Sequence, residues 1–311
     1  MTINKLLRLN FTGTELEDSY WQQLNDLAGT NVIVTEAELK DHTDADALLV
    51  KLGAIVPKEM IDQLPNLKYI GMLGTGYGGI DTAYAASKGI TVTNIADYAT
   101  EGVAEFTFGI LLEYYRDIAK ARAAAKAGDY SDNFTGGEIK GKNFGVVGLG
   151  NIGRRTAELA QAFGANVSYW SANRKEDAEG TGILYQELDD LLASSDIITL
   201  NLASNEQTEW IMNADRINSI KKHAILINPS PMELFDFDAL LARLQKDDMV
   251  FMLDHSDEMT EEQLKALQPL DHVIVYPAIA YLTHEATELK KQIYIDNIKN
   301  FVAGELSNKV N

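Results

Sequence analysis

The feature that most constrains this chain is a glycine-rich loop that lies between a strand pattern and a helix pattern. The loop begins directly after the apolar run Phe144–Val147 and has the spacing G-x-G-x-x-G. In such a unit the first glycine permits a tight turn, the second lets backbone approach a pyrophosphate, and the third lets the helix pack closely. The free amides of the helix N-terminus attract phosphate. The spacing predicts a dinucleotide-binding loop, and a glycine-rich turn without a ligand is the alternative. The predicted cofactor contacts here are Gly148, Gly150, Asn151, Ile152 and Gly153.

Short apolar runs alternate with helical patterns along the whole chain, which favours parallel βαβ units and an α/β fold. The strands predicted in the first third are Leu6–Leu9, Val32–Val34, Ala47–Val50, Tyr69–Met72 and Ile90–Thr93. Later strands are predicted at Phe144–Val147, Asn166–Tyr169, Asp196–Leu200, Ala224–Ile227, Val250–Leu253 and Val273–Val275. The main helices are predicted over Glu15–Leu27, Glu101–Ala127 and Glu285–Val302. We interpret the long middle helix as the link between two α/β units.

Composition excludes several classes of partner and site. The 311 residues suggest about two domains. There is no cysteine, so disulfides and thiolate sites are absent. A net charge of −19 disfavours binding to nucleic acid and to anionic membranes. No apolar run approaches the roughly 18 residues of a membrane span, and the N-terminus does not resemble a signal peptide, so we expect a cytoplasmic protein. We predict no metal site, because the acidic group Asp41, Asp44 and Asp46 lacks calcium-loop spacing and is interpreted as a solvated loop.

The residues after the second nucleotide-domain strand bear on the choice of cofactor. A site for NAD carries Asp or Glu there, which binds the ribose hydroxyls. This chain has Trp170, Ser171, Asn173, Arg174 and Lys175 in that region. The polar side chains can donate to a 2′-phosphate and the two cations supply charge. We predict that NADP(H) is preferred and NAD(H) possible; a merely solvated turn is the alternative.

Several motifs together resemble the family of D-isomer-specific 2-hydroxyacid dehydrogenases. Gly74–Asp81 resembles the family's G-x-G-x-D-x-x-D turn, Gly148–Gly153 its dinucleotide loop, and Tyr276–Ala280 the segment that leads back to the first domain. The resemblance implies two Rossmann-like or flavodoxin-like domains with parallel sheets. A substrate domain of residues 1–98 and 286–311 would hold an inserted nucleotide domain of residues 99–285, with the active site in the cleft. It also implies a homodimer and a small carboxylate substrate. Further cofactor contacts implied by the matched segments are Asn201, Leu202, Ala203, Thr208, Asn228, Pro229, Ser230 and Asp254.

The chain departs from the family at its catalytic positions. Family members carry an Arg that binds the substrate, a His that donates the proton, and a Glu that orients that His. Aligned by motif, these positions hold Pro231, Ala278 and Asp257. Proline and alanine have no side-chain donor, so the usual reduction of a 2-keto acid is in doubt.

Other residues are candidates to replace the missing groups. They are Tyr98, Lys51, His255 and the backbone amides of Thr75 and Gly76, with Asp257 as a remaining proton acceptor. Each has an ordinary structural alternative, such as a packed tyrosine or a solvated lysine. Three functions remain open: an NADP(H)-dependent oxidoreductase acting on a 2-keto or 2-hydroxy acid or a related carbonyl, a catalytically silent NADP(H)-binding or sensing relative, and an enzyme with different chemistry on a substrate such as an imine.

Overall fold

Runs of leucine, isoleucine and valine build two fully parallel sheets in the computed structural model, which describes residues 2–311. The α/β fold expected from the alternating pattern is confirmed. The chain divides into two units. Unit 1 comprises the residues up to Tyr98 together with His284–Asn311, and unit 2 comprises Ala99–Thr283. Unit 2 is therefore inserted into unit 1 along the chain.

Unit 1 is built around a five-stranded sheet with the strand order β2-β1-β3-β4-β5. Its strands are β1 (Ile3–Leu9), β2 (Ala28–Val34), β3 (Ala47–Lys51), β4 (Tyr69–Leu73) and β5 (Thr91–Thr93). Its helices are α1 (Asp18–Leu27), α2 (Lys58–Asp62), α3 (Thr82–Ser87) and, returning from the end of the chain, α12 (His284–Ala303). Buried residues of α12, among them Tyr294 and Ile298, join those of α1 and the sheet in one apolar cluster. This burial attaches the C-terminal helix to the first hundred residues.

Unit 2 is built around a seven-stranded sheet with the order β12-β11-β10-β9-β6-β7-β8. Its strands are β6 (Asn143–Val147), β7 (Asn166–Trp170), β8 (Leu184–Tyr185), β9 (Ile197–Leu200), β10 (Ile225–Asn228), β11 (Val250–Leu253) and β12 (Val273–Val275). Its helices are α4 (Thr100–Arg116), α5 (Ile118–Lys126), α6 (Asn151–Ala162), α7 (Glu176–Glu179), α8 (Leu188–Ser194), α9 (Ala214–Ser219), α10 (Phe237–Leu244) and α11 (Glu261–Leu267). Because the strands are parallel, their carboxyl ends and the loops that follow lie at one edge.

The structure corrects three expectations. The long helix predicted over Glu101–Ala127 is two helices, because Asp117 adopts a left-handed conformation with φ of 46° that interrupts the helical hydrogen bonds. The helix predicted from Glu15 begins at Asp18, since the Glu15 carboxylate instead accepts hydrogen bonds from the amides of Thr12 and Gly13. The third correction concerns Asp46, which is 3% exposed rather than solvated and accepts bonds from the amides of residues 4 and 5.

The remaining strand predictions agree with the structure to within a few residues, apart from the two-residue edge strand Leu184–Tyr185, which is too short to show a periodic pattern. No helix within residues 2–311 combines the length and the apolar composition that crossing a membrane requires.

Candidate active site

The three glycines of the loop after β6 have different surroundings. Gly148 has φ of +95°, and a Cβ added to it would lie 2.4 Å from the carbonyl oxygen of Asn201. A Cβ on Gly153 would lie 1.9 Å from the carbonyl oxygen of Gly148. A Cβ on Gly150 would meet no heavy atom within 4 Å. The outer two glycines are therefore required by the fold itself, whereas the middle one faces open space at the N-terminus of α6.

The loops that follow β9 and β10 are tied together by a buried serine. The Ser230 hydroxyl donates to the carbonyl of Leu200 at 2.9 Å and accepts from the amide of Leu202 at 3.1 Å. The Asn228 side-chain amide donates to the carbonyl of Ser230 at 2.8 Å. Both polar side chains are buried and satisfied by the protein. They position the neighbouring backbone.

Asn201 differs from these residues because its side-chain oxygen is buried without a hydrogen-bond partner among the described residues. Its Cβ lies 3.3 Å from where a Cβ on Gly153 would be, so it adjoins the glycine loop. Buried acceptors are normally satisfied, which makes this oxygen a candidate to receive a ligand donor. Nearby, the Thr208 hydroxyl donates to the carbonyl of Ala203 at 2.7 Å, and Pro229 is partly buried.

No carboxylate occurs among residues 171–175, directly after β7, where Trp170 and Ser171 are both partly buried. The cation expected here, Arg174, is already paired. Its guanidinium donates to both oxygens of Glu179, at 2.6 and 2.7 Å, and lies 5.2 Å from the centre of the Tyr185 ring. The hydrogen bonds to Glu179 raise the pKa of Arg174 and lower that of Glu179, so both remain charged. Arg174 is thus fixed in place and its charge is balanced.

Lys175 supplies a second cation in the same segment. Its backbone amide donates to the Tyr169 hydroxyl at 2.6 Å, while its ammonium makes no ion pair within residues 2–311. Asn173 is exposed beside it. Residues 171–175 therefore combine one balanced and one unbalanced cation and include no acid; the nearest acids are Glu176, which follows at once, and Glu179, which pairs with Arg174.

Asp254 organises the carboxyl ends of β11 and β12. It is 2% exposed, and its carboxylate accepts hydrogen bonds from the amides of Ile279 and Ala280 at 3.0 and 3.1 Å. Burial raises the pKa of Asp254, and the two amide bonds act in the opposite direction. These bonds hold the segment that includes Ala278, the aligned position of the family's His.

His255 is surrounded by carboxylates. Its Nε2 lies 3.9 Å from Asp254, and its Nδ1 lies 3.7 Å from Asp257 and 3.5 Å from Glu258. Nδ1 is buried and has no hydrogen bond among the described residues. Asp257 is 65% exposed, whereas Glu258 is 31% exposed and accepts a bond from the amide of Met232 at 3.2 Å. Burial raises the pKa of Glu258.

The positions of these two carboxylates show that Glu258, which the sequence analysis did not select, is the more enclosed neighbour of His255. Both lie in the 3-10 turn Ser256–Glu258, where adjacent side chains point in different directions. Sequence alone does not distinguish them. Pro231, at the aligned position of the family's Arg, directly precedes Met232 and offers no side-chain donor.

In unit 1, Lys51 ends β3, but its ammonium is already paired with Glu15 at 3.1 Å. Although burial opposes it, hydrogen bonds from Thr12 and Lys51 hold the pKa of Glu15 at about 2. The carboxylate therefore stays charged and keeps Lys51 occupied. The sequence analysis did not identify this ion pair, because it placed Glu15 at the start of the predicted helix α1.

The turn after β4 carries Thr75 and Gly76, both exposed. The Thr75 hydroxyl donates to the carbonyl of Ile95 at 2.9 Å, while the amides of Thr75 and Gly76 donate no hydrogen bond within residues 2–311. Tyr98 follows on the segment that Ile95 begins. Its ring lies 5.5 Å from the ammonium of Lys290 on α12, a second residue that the sequence analysis did not select.

A family model for the NAD-binding domain of D-isomer-specific 2-hydroxyacid dehydrogenases matches residues 108–280. A D-3-phosphoglycerate dehydrogenase of Methanocaldococcus jannaschii is 35% identical over 282 residues, 89% of this chain but 54% of that relative, so this chain spans about half of its length. A glyoxylate reductase of Thermofilum pendens is 32% identical over 281 residues, 87% of this chain and 82% of the relative.

Two solved structures are similar over nearly the whole chain. One is D-lactate dehydrogenase from Aquifex aeolicus complexed with NAD and lactic acid, with a TM-score of 0.81, 28% identity and 96% coverage of both chains. The other is an acyclic imino acid reductase in complex with NADPH and D-arginine, with a TM-score of 0.83, 26% identity, and coverage of 99% of this chain and 100% of that one. From the family model and the relatives, the chain belongs to the D-isomer-specific 2-hydroxyacid dehydrogenase family.

Proposed function

We propose that this protein is an oxidoreductase that uses NADP(H), and less readily NAD(H), to interconvert a small 2-keto acid and the 2-hydroxy acid. The bound cofactor supplies or accepts the hydride. The observation that carries the proposal is the imidazole of His255, enclosed by carboxylates at the carboxyl edge of the unit 2 sheet. Of the five histidines in the chain, all among the described residues, His255 alone lies just after the carboxyl end of a strand of this sheet. It follows Asp254, which is the first residue after β11.

The residues present fit a dinucleotide. Gly150 leaves open space beside the free amides at the start of α6, where a pyrophosphate is stabilised by hydrogen bonds and by the helix dipole. Asn201 offers an unsatisfied buried acceptor next to that loop. Gly148, Asn151, Ile152 and Gly153 complete the cradle. The loops fixed by Asn228, Ser230 and Asp254 form the rest of the proposed site, together with Leu202, Ala203, Thr208 and Pro229.

The preference for NADP(H) rests on the end of β7. No acidic residue stands among residues 171–175, directly after the strand, and the ammonium of Lys175 makes no ion pair within residues 2–311. Ser171 and Asn173 add polar groups. Glu179 balances the charge of Arg174, so we expect the preference to be modest and NAD(H) to be accepted.

The proton for the carbonyl oxygen is assigned to His255. Glu258, held by the amide of Met232, is the carboxylate best placed to stabilise a protonated imidazole, with Asp257 as a more exposed second. A general acid of this type accelerates proton transfer by about 10²–10⁴-fold. His255 thereby supplies the acid that Ala278 lacks.

The test compares His255→Asn with His223→Asn as the matched control. His223 is exposed, lies before the amino end of β10 and has φ of 63°, a conformation that asparagine tolerates. NADPH oxidation is measured against a panel of 2-keto acids, with NADPH binding followed by fluorescence. We expect His255→Asn to lower kcat by about 10²–10⁴-fold with little change in NADPH affinity, and His223→Asn to behave like the wild type. Unchanged kcat in His255→Asn would remove the assignment, and tight NADPH binding without any turnover would favour a silent cofactor-binding protein.

A second candidate is reduction of an imino acid. The structural similarity to an acyclic imino acid reductase favours it, as do Ala278 and Pro231 at the aligned acid and arginine positions. A protonated imine already carries its proton. Hydride addition to its carbon moves the C=N π electrons onto nitrogen and yields the amine, so no general acid is needed.

The same assay separates the two candidates. Each 2-keto acid is supplied with and without ammonium or methylamine. Turnover that requires the amine and survives His255→Asn would favour the imine, whereas amine-independent turnover that His255→Asn abolishes would favour the keto acid.

We further propose a homodimer formed through unit 2. Ile118 on α5 is 50% exposed and Tyr130 in the following loop is 83% exposed, which leaves apolar surface for a second copy. Light scattering should give about twice the chain mass of 34.3 kDa, and the mass of one chain at all concentrations would contradict this.

A further inference from the structure

Lys290 is a partly buried lysine in unit 1 that lacks an acidic partner among the described residues. Lys290, on α12, makes no ion pair within residues 2–311, and its ammonium lies 5.5 Å from the centre of the Tyr98 ring. Burial lowers the pKa of Lys290, because removal from water disfavours the charged ammonium. The face of the Tyr98 ring attracts the ammonium and so offsets part of the cost of removing it from water. A bound anion would offset more of this desolvation cost.

The other lysines with partly buried side chains nearby are all paired. Lys51 binds Glu15, Lys291 binds Glu17 and Glu288, and Lys299 lies 3.8 Å from Asp296. Acidic residues outnumber basic ones by 46 to 27 in this chain. Lys290 is thus left without a carboxylate although the chain has many, so its charge is available to a bound anion.

Further donors lie near Tyr98. The Thr75–Gly76 turn after β4 is joined to the segment before Tyr98, since the amide of Ile95 donates to the carbonyl of Gly74 at 2.9 Å and the Thr75 hydroxyl donates to Ile95. The exposed amides of Thr75 and Gly76 donate no hydrogen bond among the described residues. The carboxyl end of this sheet therefore presents unused N–H groups as well as the Lys290–Tyr98 pair.

We propose that Lys290 binds the carboxylate of the substrate. Tyr98 holds the lysine side chain by its ring. This inference rests on the proposed function, because it takes the substrate to be a small carboxylate. Lys290 also replaces Lys51 as the candidate cation for the substrate carboxylate, because the Lys51 ammonium is already paired with Glu15.

The test uses oxamate, a non-reducible 2-keto acid analogue with one carboxylate, titrated by calorimetry into the full chain with NADPH present. Lys290→Met removes the charge and keeps the length, and Lys290→Arg restores the charge. Lys299→Met removes a partly buried lysine of the same helix that lies beside Asp296, and it is the matched control. We expect Lys290→Met to weaken oxamate binding by at least about tenfold, equivalent to about 1.4 kcal/mol. Lys290→Arg and Lys299→Met should stay within about threefold of the wild type.

Oxamate binding by Lys290→Met with wild-type affinity would overturn the inference, as would an equal loss in Lys299→Met, which would indicate a general effect of surface charge. No binding of oxamate by the wild type would also overturn it. NADPH binding, measured by fluorescence in the same samples, judges the proposed cofactor site separately. If the protein binds NADPH but not oxamate, this inference is therefore wrong, whereas the proposed cofactor site still stands.

Discussion

Replacement of Gly150 by alanine should separate cofactor binding from stability. The backbone at Gly150 has φ of −76° and ψ of −164°, which alanine adopts without strain, and the added methyl would meet nothing within 4 Å. Loss of the glycine N-cap costs up to about 1 kcal/mol, and the reduced entropy of the unfolded chain offsets part of it. We therefore expect the free energy of unfolding to change by less than about 1 kcal/mol.

The effect on the cofactor should be much larger. The open space at Gly150 is where the pyrophosphate is proposed to approach the backbone, so the methyl must displace it or force a shift. Forcing one extra carbon into a close contact costs about 1–3 kcal/mol, which corresponds to roughly 5- to 150-fold weaker binding of NADPH. Fluorescence titration with NADPH and urea unfolding measure the two quantities on the same preparation.

Two further glycines provide controls. Gly109, on the exposed face of α4, also has open space around its Cβ position, so Gly109→Ala should leave NADPH affinity unchanged. Gly153→Ala places a methyl 1.9 Å from a backbone oxygen and should destabilise the fold by at least about 3 kcal/mol. Wild-type NADPH affinity in Gly150→Ala would refute the reasoning, because the open space would then not be the phosphate site.

Two other predictions concern carboxylates that hold cations. Glu15→Gln should lower the free energy of unfolding at pH 7 by up to about 3 kcal/mol, since the pKa of Glu15 falls from 4.5 to about 2 at about 1.4 kcal/mol for each pKa unit. A carboxylate with a lowered pKa stabilises the fold at pH values above its pKa in the unfolded chain. The difference in unfolding free energy between Glu15→Gln and the wild type, measured by urea unfolding, should therefore shrink as the pH falls from 4.5 toward 2. A difference that persists at low pH would contradict this prediction. Glu179→Gln should raise the ratio of NADPH to NADH affinity by about tenfold, because it removes a negative charge beside Arg174. Exposed Glu262→Gln is the charge-matched control, and an unchanged ratio in Glu179→Gln would show that Arg174 does not face the 2′-phosphate.

Much of the fold was predictable because its signals are local. Strands such as Val250–Leu253 and Val273–Val275 were placed without error, since a short apolar run between helical patterns is typical of a parallel strand buried on both faces. The glycine loop was placed for the same kind of reason: backbone sterics at Gly148 and Gly153 admit no side chain. The break at Asp117 was missed because the periodic pattern continues through it and only one backbone angle changes.

The candidate site was less predictable, because its charges are set by contacts between distant parts of the chain. Sequence by itself determined the parallel sheets, the glycine loop, the absence of an acid at residues 171–175 after β7, and proline and alanine at positions 231 and 278. Only the tertiary structure decided that Glu15, 36 residues away, occupies Lys51, and that Glu258 is closer to His255 than Asp257 is. The tertiary structure alone also showed that Lys290 lies beside Tyr98 without an acidic partner among the described residues. Residue type determines which charges a chain carries, but whether each charge is balanced depends on which side chains the fold brings within a few ångströms.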